Sequence, residues 1–318
     1  MKLATLANGT PDGRLVRVSD DATRMIGADP IAGSLREAIE DWARCAPALA
    51  ALDPTGSGSE RFDVAATLAP LPRAWQFLDG SAYPSHGELL QQAYDLPPIP
   101  PGPPLMYQGL SHEFLSGHAD VALPDEAHGI DFEAEFAVVV DHVPMGTDAQ
   151  TALGHIKLVL LLNDWSLRAI GAAEMRTGFG WVRGKPASSL APIAVTPDTL
   201  GAAWRDGRIH LPMLVDYAGR RFGAAGGGAM QIGFHDLVAH AASTRSLCAG
   251  TIIGSGTVSN ESYREVGSSC IAERRAIEMV DNGAATTGFM RFGDRVRIEV
   301  VADGASIFGA IDQRVVQR

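Results

Sequence analysis

In the stretch Ile130-Asp131-Phe132-Glu133-Ala134-Glu135-Phe136-Ala137-Val138-Val139-Val140, acidic and apolar residues alternate before the chain becomes wholly apolar. Successive side chains of a β-strand point to opposite faces, so the stretch predicts a strand with three carboxylates on one face and two phenylalanines on the other. Neighbouring acids would lie about 6.6 Å apart and repel by roughly 2.5 kcal/mol at an effective dielectric of about 20. A hard divalent cation would relieve this repulsion. A solvated acidic face is the alternative.

Further strands are predicted on both sides of this one. Residues 295–301 alternate, and residues 157–162 are apolar and follow a short helix, to about His155, that Thr147 with Asp148 can cap. Upstream, apolar residues on one face predict a continuous helix over residues 34–52. Short strands among long loops favour a β-rich α+β fold rather than a doubly wound sheet. We expect a small N-terminal domain over residues 1–70 and a larger domain over residues 71–318.

The composition argues against several partners and compartments. The chain has 318 residues, and its hydrophobic fraction of 46% is ordinary for a globular protein. Its net charge of −11 disfavours nucleic acid as a partner. Its three cysteines are far apart and show no CxxC spacing, so neither a disulfide framework nor a cysteine zinc cage is expected. A reducing cytoplasm fits best. The apolar runs are too short for a membrane span.

Two other clusters combine residue types that carry chemistry. Asn163-Asp164-Trp165-Ser166-Leu167-Arg168 follows an apolar strand, where polar side chains are well placed to face a site. Asp164 could instead cap a helix and pair with Arg168 at i,i+4. His86 follows Asp79 by seven residues, and its ordinary pKa suits general-base work near neutrality. An isolated histidine in a turn-rich segment can equally be incidental.

Taken in this order, the three clusters resemble the fumarylacetoacetate hydrolase family. The pattern is an Asp, a His seven residues later, an E-x-E strand and then N-D-W-S-x-R. Three later segments are similar to segments of the same family: Gly184-Lys185-Pro186-Ala187-Ser188-Ser189, Gly256-Thr257-Val258-Ser259 and Gly267-Ser268-Ser269-Cys270-Ile271-Ala272-Glu273. The resemblance covers about residues 71–318. It implies a mixed β-sandwich roll with a small N-terminal domain.

The resemblance also implies a role for each matching residue. It implies four carboxylate ligands for Mg²⁺, or for Ca²⁺ or Mn²⁺, namely Asp79, Glu133, Glu135 and Asp164. His86 is similar to the general base of the family, and Glu273 to the acid that orients it. Arg168 and Lys185 resemble the cations that stabilise an oxyanion, and Tyr107 and Thr257 resemble substrate-contacting positions. A homodimer is expected, because the family usually pairs through its large domain.

These roles imply hydrolysis of a carbon–carbon bond in a 1,3-dioxo acid of the fumarylacetoacetate or acylpyruvate type, in aromatic-compound or tyrosine catabolism. The metal would act as Lewis acid and template, and preorganised cations would stabilise enolate charge. A lyase or isomerase on the same scaffold is the alternative: oxaloacetate decarboxylation, tautomerisation or hydration of a dienoate. A third possibility is a non-catalytic protein that a bound metal stabilises. Individually, Lys185 could be a surface loop lysine, and Glu273 could pair only with Arg274 or Arg275.

The chain departs from fumarylacetoacetases proper where those enzymes grip the substrate. They carry a tyrosine, an arginine, a glutamine and a second tyrosine at the positions that here are Ser81, Asp95, Gly171 and Met175. The proposed metal ligands are unaffected, but the substrate stays open. Arg176 or Arg183 could supply a new carboxylate contact.

Overall fold

The computed structural model of the protein describes residues 1–98 and 102–318. The N-terminal segment forms a meander of short strands and two helices. Its strands are β1 (Lys2–Leu6), β2 (Arg14–Val18), β3 (Arg24–Gly27) and β4 (Glu60–Arg61), and its helices are α1 (Leu35–Glu40) and α2 (Trp42–Ala51). The prediction of one helix over residues 34–52 is wrong at its middle. Asp41 leaves helical geometry, with φ −131° and ψ 50°, and separates α1 from α2.

Residues 76–167 contain the strands that carry the predicted acidic residues. The elements in chain order are β5 (Phe77–Gly80), α3 (Pro84–Tyr94), β6 (Met106–Gly109), β7 (Leu115–Ser116), β8 (Val121–Leu123), β9 (Ile130–Asp131), β10 (Ala134–Val140), α4 (Ala149–His155), β11 (Ile156–Asn163) and β12 (Ser166–Leu167). The strand predicted over residues 130–140 is therefore interrupted. Its break occurs where Glu133 leaves the ladder and bridges to Cys270. The helix capped by Asp148 is confirmed, since that side chain accepts a hydrogen bond from Thr151 N.

The remainder of the chain adds most of a second sheet and further helices. Its elements are α5 (Arg168–Met175), β13 (Ser189–Leu190), β14 (Ile193–Val195), β15 (Trp204–Arg205), β16 (Arg208–Ile209), β17 (Pro212–Tyr217), β18 (Arg220–Gly226), α6 (Phe234–Ala241), β19 (Thr251–Gly254), α7 (Tyr263–Val266), α8 (Ile271–Asn282), β20 (Arg295–Glu299), β21 (Val301–Ala302), β22 (Ala305–Ser306) and β23 (Ile311–Gln317). The strand predicted over residues 295–301 ends at Glu299 and is followed by the separate β21.

The larger sheet runs through both the N-terminal segment and the rest of the chain. Its main strand order is β4-β3-β2-β1-β14-β11-β10-β19-β5-β6, and β1 is antiparallel to β14 with Leu3 opposite Ala194. A second sheet has the order β18-β17-β20-β23-β8. This mixed, strand-rich α+β fold with a small N-terminal domain confirms the predicted fold class.

The two faces of β10 contact different cores, because its side chains alternate. Phe136 and Val138 join the core that includes Val215 of the second sheet. Ala137 and Val139 pack in a separate core with residues of β11 and of the N-terminal helices. Glu135 lies on this second face by the same alternation, so the acidic end of β10 continues an apolar surface. Within residues 1–98 and 102–318, no helix combines the length and apolarity that crossing a bilayer requires.

Candidate metal and active site

Three carboxylates meet where neighbouring strands of the large sheet end. Asp79 lies in β5, Glu135 in β10, and Asp164 directly follows β11. Strand register brings them together, because β19 pairs with both β5 and β10, and Glu135 is opposite Leu162 of β11. One oxygen from each of the three carboxylates lies within 4.8 Å of the other two. All three side chains are buried.

Gly254 makes the close approach of two of these acids possible. A Cβ at this position would lie 2.2 Å from Asp79 Oδ1 and 3.2 Å from Glu135 Oε2. Any side chain there would therefore displace the first carboxylate. Two residues later, the backbone N–H of Gly256 donates to Asp79 Oδ1 at 3.1 Å. The strand end is thus shaped to hold Asp79 beside Glu135.

The electrostatics of this group favour a positively charged ligand. Burial, and next the charge of Asp164, raise the pKa of Asp79 to about 7. Burial followed by repulsion from Asp79 raises the pKa of Glu135 well above its usual range. Neither carboxylate oxygen of Glu135 has a hydrogen-bond partner among the described residues. A buried, all-oxygen donor set in which the Glu135 carboxylate is unsatisfied fits a hard divalent cation such as Mg²⁺, Mn²⁺ or Ca²⁺.

Glu133 lies beside this group but is bound to two cationic side chains. Lys185 Nζ donates to Glu133 Oε2 at 2.6 Å, and Arg168 lies 2.7 Å from Glu133 Oε1. Burial would raise the pKa of Glu133, but Arg168 and Lys185 together outweigh it and hold that pKa well below its usual range. Three of the four predicted metal ligands therefore lie close together. The fourth, Glu133, is paired with Arg168 and Lys185.

Lys185 and Asp164 are part of the site and not of a surface loop or helix cap. The Lys185 ammonium donates to Asp164 as well as to Glu133, and its side chain is only 10% exposed. The surface-loop interpretation of Lys185 is therefore wrong. The helix-cap interpretation of Asp164 is also wrong, because α5 begins at Arg168 and Leu167 is its N-cap. Ser188, which sequence reasoning passed over, donates to Asp164 Oδ1 at 2.7 Å.

His86 and Glu273 form a hydrogen-bonded pair at the N-terminal ends of two helices. His86 is in the first turn of α3 and Glu273 in the first turn of α8. His86 Nδ1 lies 2.8 Å from Glu273 Oε2, with the glutamate fully buried. The alternative pairing of Glu273 with its neighbours is wrong, since Arg274 donates to Phe222 O and Arg275 to Thr287 O. His86 is therefore held by a partner and is not an isolated turn histidine.

Asp131 connects the cationic residues to helix α8. Its carboxylate accepts the backbone N–H groups of Ile271 at 2.7 Å and Ala272 at 2.9 Å, and Arg168 Nε donates to it at 2.8 Å. Burial raises the pKa of Asp131, although Arg168 opposes this. Sequence reasoning placed Asp131 on the acidic face but assigned it no role. The structure shows that it fixes both Arg168 and the helix that carries Glu273.

Tyr107 and Thr257, the two residues expected to contact substrate, differ in their contacts. The Tyr107 hydroxyl donates to Asp164, and the ring packs edge-on against Trp181 with centroids 4.8 Å apart. Trp181 Nε1 donates to Gly171 O at 3.1 Å. Thr257 is buried and follows Gly256, which binds Asp79. Trp181 was not identified from the sequence, where nothing distinguishes it from a core aromatic.

The positions that depart from the fumarylacetoacetase pattern supply no cation to the site. Ser81 is exposed, and Asp95 has a left-handed backbone at the C-terminal cap of α3. Met175 is 56% exposed. Arg176 and Arg183 are also exposed, so the structure does not place either of them against the carboxylates.

Two models of known protein families match this chain. The model of the fumarylacetoacetate (FAA) hydrolase C-terminal domain matches residues 76–316, and that of fumarylacetoacetase N-terminal domain 2 matches residues 1–73. No curated protein sequence matches significantly.

Solved structures share the fold over the full length of the chain. A fumarylacetoacetate hydrolase from Exiguobacterium antarcticum is 15% identical, with a TM-score of 0.70 and 100% coverage of both chains. A maleylpyruvate hydrolase from Sphingobium sp. SYK-6, in complex with manganese(II) ion and pyruvate, is 18% identical, with a TM-score of 0.68 and coverage of 100% of this chain and 99% of that one. A probable 2-hydroxyhepta-2,4-diene-1,7-dioate isomerase from Mycobacterium abscessus is 19% identical, with a TM-score of 0.69 and the same coverage.

At these identities the solved structures establish the fold alone, whereas the family models match almost every residue of the chain. The chain belongs to the fumarylacetoacetate hydrolase family.

Proposed function

We propose that this protein is a metal-dependent hydrolase that cleaves a carbon–carbon bond in a 1,3-dioxo acid of the acylpyruvate or fumarylacetoacetate type. The observation that carries the proposal is the His86–Glu273 pair, 2.8 Å apart, in which Glu273 lies on a helix capped by Cys270, the residue that bridges to Glu133. Hydrolysis needs a base to activate water, and such a pair supplies one. Simple decarboxylation of a metal-bound oxo acid does not need that base.

Asp79, Glu135 and Asp164 would hold a divalent cation, Mg²⁺ or alternatively Mn²⁺ or Ca²⁺, with Glu133 as a fourth carboxylate. When bound, the cation supplies Lewis-acid polarisation of the dioxo acid and a template for its adjacent oxygens. The support from this chain is the donor set itself: buried oxygens, two of them without partners, at the end of one sheet. The solved maleylpyruvate hydrolase with manganese and pyruvate is consistent with such a site.

His86 would act as the general base, oriented by Glu273. A carboxylate at 2.8 Å from Nδ1 favours the tautomer with its proton on that nitrogen, which leaves Nε2 free to accept a proton from water. Glu273 would also stabilise the imidazolium that results. Because Glu273 is fully buried, its carboxylate is shielded from competing water.

Lys185 and Arg168 would stabilise the negative charge that develops as the bond breaks. Both are held in place before any substrate arrives, Lys185 by Glu133 and Asp164, and Arg168 by Asp131 and Glu133. Preorganised charges need no reorientation at the moment of reaction and are worth most in a water-excluded site. Tyr107 and Thr257 would contact the substrate.

The second candidate is an isomerase, decarboxylase or hydratase that uses the same metal site. The structural likeness to the Mycobacterium abscessus isomerase favours keeping it. We also propose a homodimer, to be tested by light scattering of the purified protein, for which a monomer at micromolar concentration would be the contradicting result.

The deciding experiment is an assay of the Mg²⁺- or Mn²⁺-loaded protein against acylpyruvates, fumarylacetoacetate, fumarylpyruvate and oxaloacetate. Loss of the enol absorbance would be followed together with product identification. Hydrolysis predicts two acids from each dioxo acid and no turnover in EDTA. Isomerised, decarboxylated or hydrated products as the only products would replace hydrolysis with the second candidate. Full activity in EDTA would overturn both.

A further inference from the structure

A second group of metal-ligand side chains lies beside the carboxylates and includes a cysteine. His86, Cys270 and Glu273 each offer one donor atom, and the three atoms lie within 4.8 Å of one another. Cys270 is the N-cap of α8, where its sulfur accepts the backbone N–H of Glu273 at 3.3 Å. Glu273 is fully buried, and its Oε1 has no hydrogen-bond partner in the part of the chain that the structure describes.

We propose that His86, Cys270 and Glu273 form an inhibitory site for Zn²⁺ or a similar borderline-soft cation. The donor set is one nitrogen, one sulfur and one oxygen, whereas Mg²⁺ prefers oxygen ligands alone. Zinc with three protein ligands keeps a fourth position open for water or a substrate oxygen. Glu273 Oε1 is a buried carboxylate oxygen that no hydrogen bond satisfies within residues 1–98 and 102–318, which points to a ligand at this position.

The distances suit a small tetrahedral ion. Zinc bonds of about 2.0–2.3 Å place tetrahedral ligand atoms roughly 3.3–3.8 Å apart. His86 Nδ1 and Glu273 Oε2 are 2.8 Å apart, and one donor atom from each of the three side chains lies within 4.8 Å of the other two. These separations bracket the tetrahedral range, so side-chain adjustments of about an ångström would complete the site. Access is through His86, whose side chain is 14% exposed.

Binding would release one proton, from the Cys270 thiol to solvent, since the thiolate is the ligand. Glu273 binds as the carboxylate and His86 as the neutral imidazole. An imidazole ligated through Nδ1 carries its one proton on Nε2, so that nitrogen can no longer accept a proton from water. Inhibition thus rests on the proposed function of His86 as general base, whereas zinc binding does not.

The first test uses Co²⁺ as a spectroscopic substitute for Zn²⁺. A cobalt–thiolate bond gives a near-ultraviolet charge-transfer band that oxygen ligation at the carboxylate group does not. We expect the band on titration of the full-length protein, its loss in Cys270→Ser, and its retention in Cys248→Ser, which removes an exposed cysteine. Serine is itself a good N-cap, so the first variant keeps the cap of α8. A band that persists in Cys270→Ser, or that is absent from the unaltered protein, would overturn the site.

The second test measures Zn²⁺ inhibition of the Mg²⁺-supported reaction, with each variant compared with its own zinc-free rate. We expect the zinc concentration for half inhibition to rise at least about tenfold in Cys270→Ser and to stay unchanged in Cys248→Ser. Equal sensitivity of all three proteins would refute the inhibitory role. If no dioxo acid is turned over, the proposed function fails, and the cobalt titration still decides whether the site exists.

Discussion

Glu133 and Glu135 lie two residues apart on the same acidic face, yet their pKa values move in opposite directions. Burial raises the pKa of Glu135, and Asp79 and Asp164 raise it further. Burial acts on Glu133 in the same direction, but Arg168 and Lys185 reverse the effect. Arg168 and Lys185 therefore neutralise Glu133, whereas Glu135 is left for a bound cation. This difference gives separate expectations for each residue.

Glu135→Gln should weaken Mg²⁺ binding by at least about tenfold while leaving the metal-free protein as stable as before. The reason is that burial and the neighbouring acids raise the pKa of Glu135 well above its usual range, so the metal-free protein favours the neutral acid, which glutamine mimics while removing a metal ligand. Isothermal titration calorimetry and thermal unfolding with and without Mg²⁺ measure the two effects. Glu60→Gln, an exposed acid on β4, is the control and should change neither. Unaltered Mg²⁺ affinity in Glu135→Gln would contradict the ligand assignment.

Metal-free stability should fall as the pH rises from about 4 to about 7. The native state holds a proton on Asp79 up to a pKa of about 7, whereas the unfolded chain releases it near 3.8. A raised native pKa contributes stability that is fully present below the unfolded pKa and is lost as pH rises through the native pKa. Thermal unfolding in EDTA at pH 5 and pH 8 measures the difference. In Asp79→Asn the loss of stability between pH 5 and pH 8 should be smaller. A loss identical to that of the unaltered protein would mean that Asp79 is not its cause.

His86→Ala should lower kcat by about 10²–10⁴-fold without weakening Mg²⁺ binding, because the histidine is proposed as base and not as ligand. Stopped-flow or steady-state assays with a dioxo acid, together with calorimetry, separate the two. His112→Ala replaces an exposed histidine and serves as the matched control. A variant with wild-type kcat would remove His86 from the mechanism.

Asp131→Asn should destabilise the protein by about 3 kcal/mol, because it removes the charge of a fully buried carboxylate and leaves the partly buried Arg168 less compensated. The kcat should also decrease, since the same carboxylate fixes the N-terminus of α8 and hence Glu273. Denaturant unfolding gives the first number and turnover the second. Asp281→Asn breaks a surface ion pair with Arg264 and should cost no more than about 1 kcal/mol. Equal losses in the two variants would mean that Asp131 is an ordinary ion-pair residue.

Local patterns predicted the acidic strand and the resemblance implied the other candidate residues, whereas long-range contacts account for what was missed. Alternation placed the acids of residues 131–135 on one face, and Asp148 marked a helix start that the structure confirms. The interruption at Glu133 was not predictable, because its cause is a bridge to Cys270 far along the chain. The role of Asp131 depends likewise on the N-terminus of α8. No local sequence pattern predicts either contact, because each forms only when the sheets and helices pack together.

The pairing of β1 with β14 has a consequence for how the chain can be made. Lys2 is opposite Val195 in this pairing, while β14 meets β11 at the Val159–Val195 pair alone. During synthesis β1 can therefore pair with β14 only after about two hundred residues have left the ribosome. Such non-local pairing is slow. A shortened gene product that begins near residue 71 would expose an unpaired edge at β14 and the apolar face now covered by the N-terminal helices. Aggregation, rather than a smaller enzyme, is what such a product should yield.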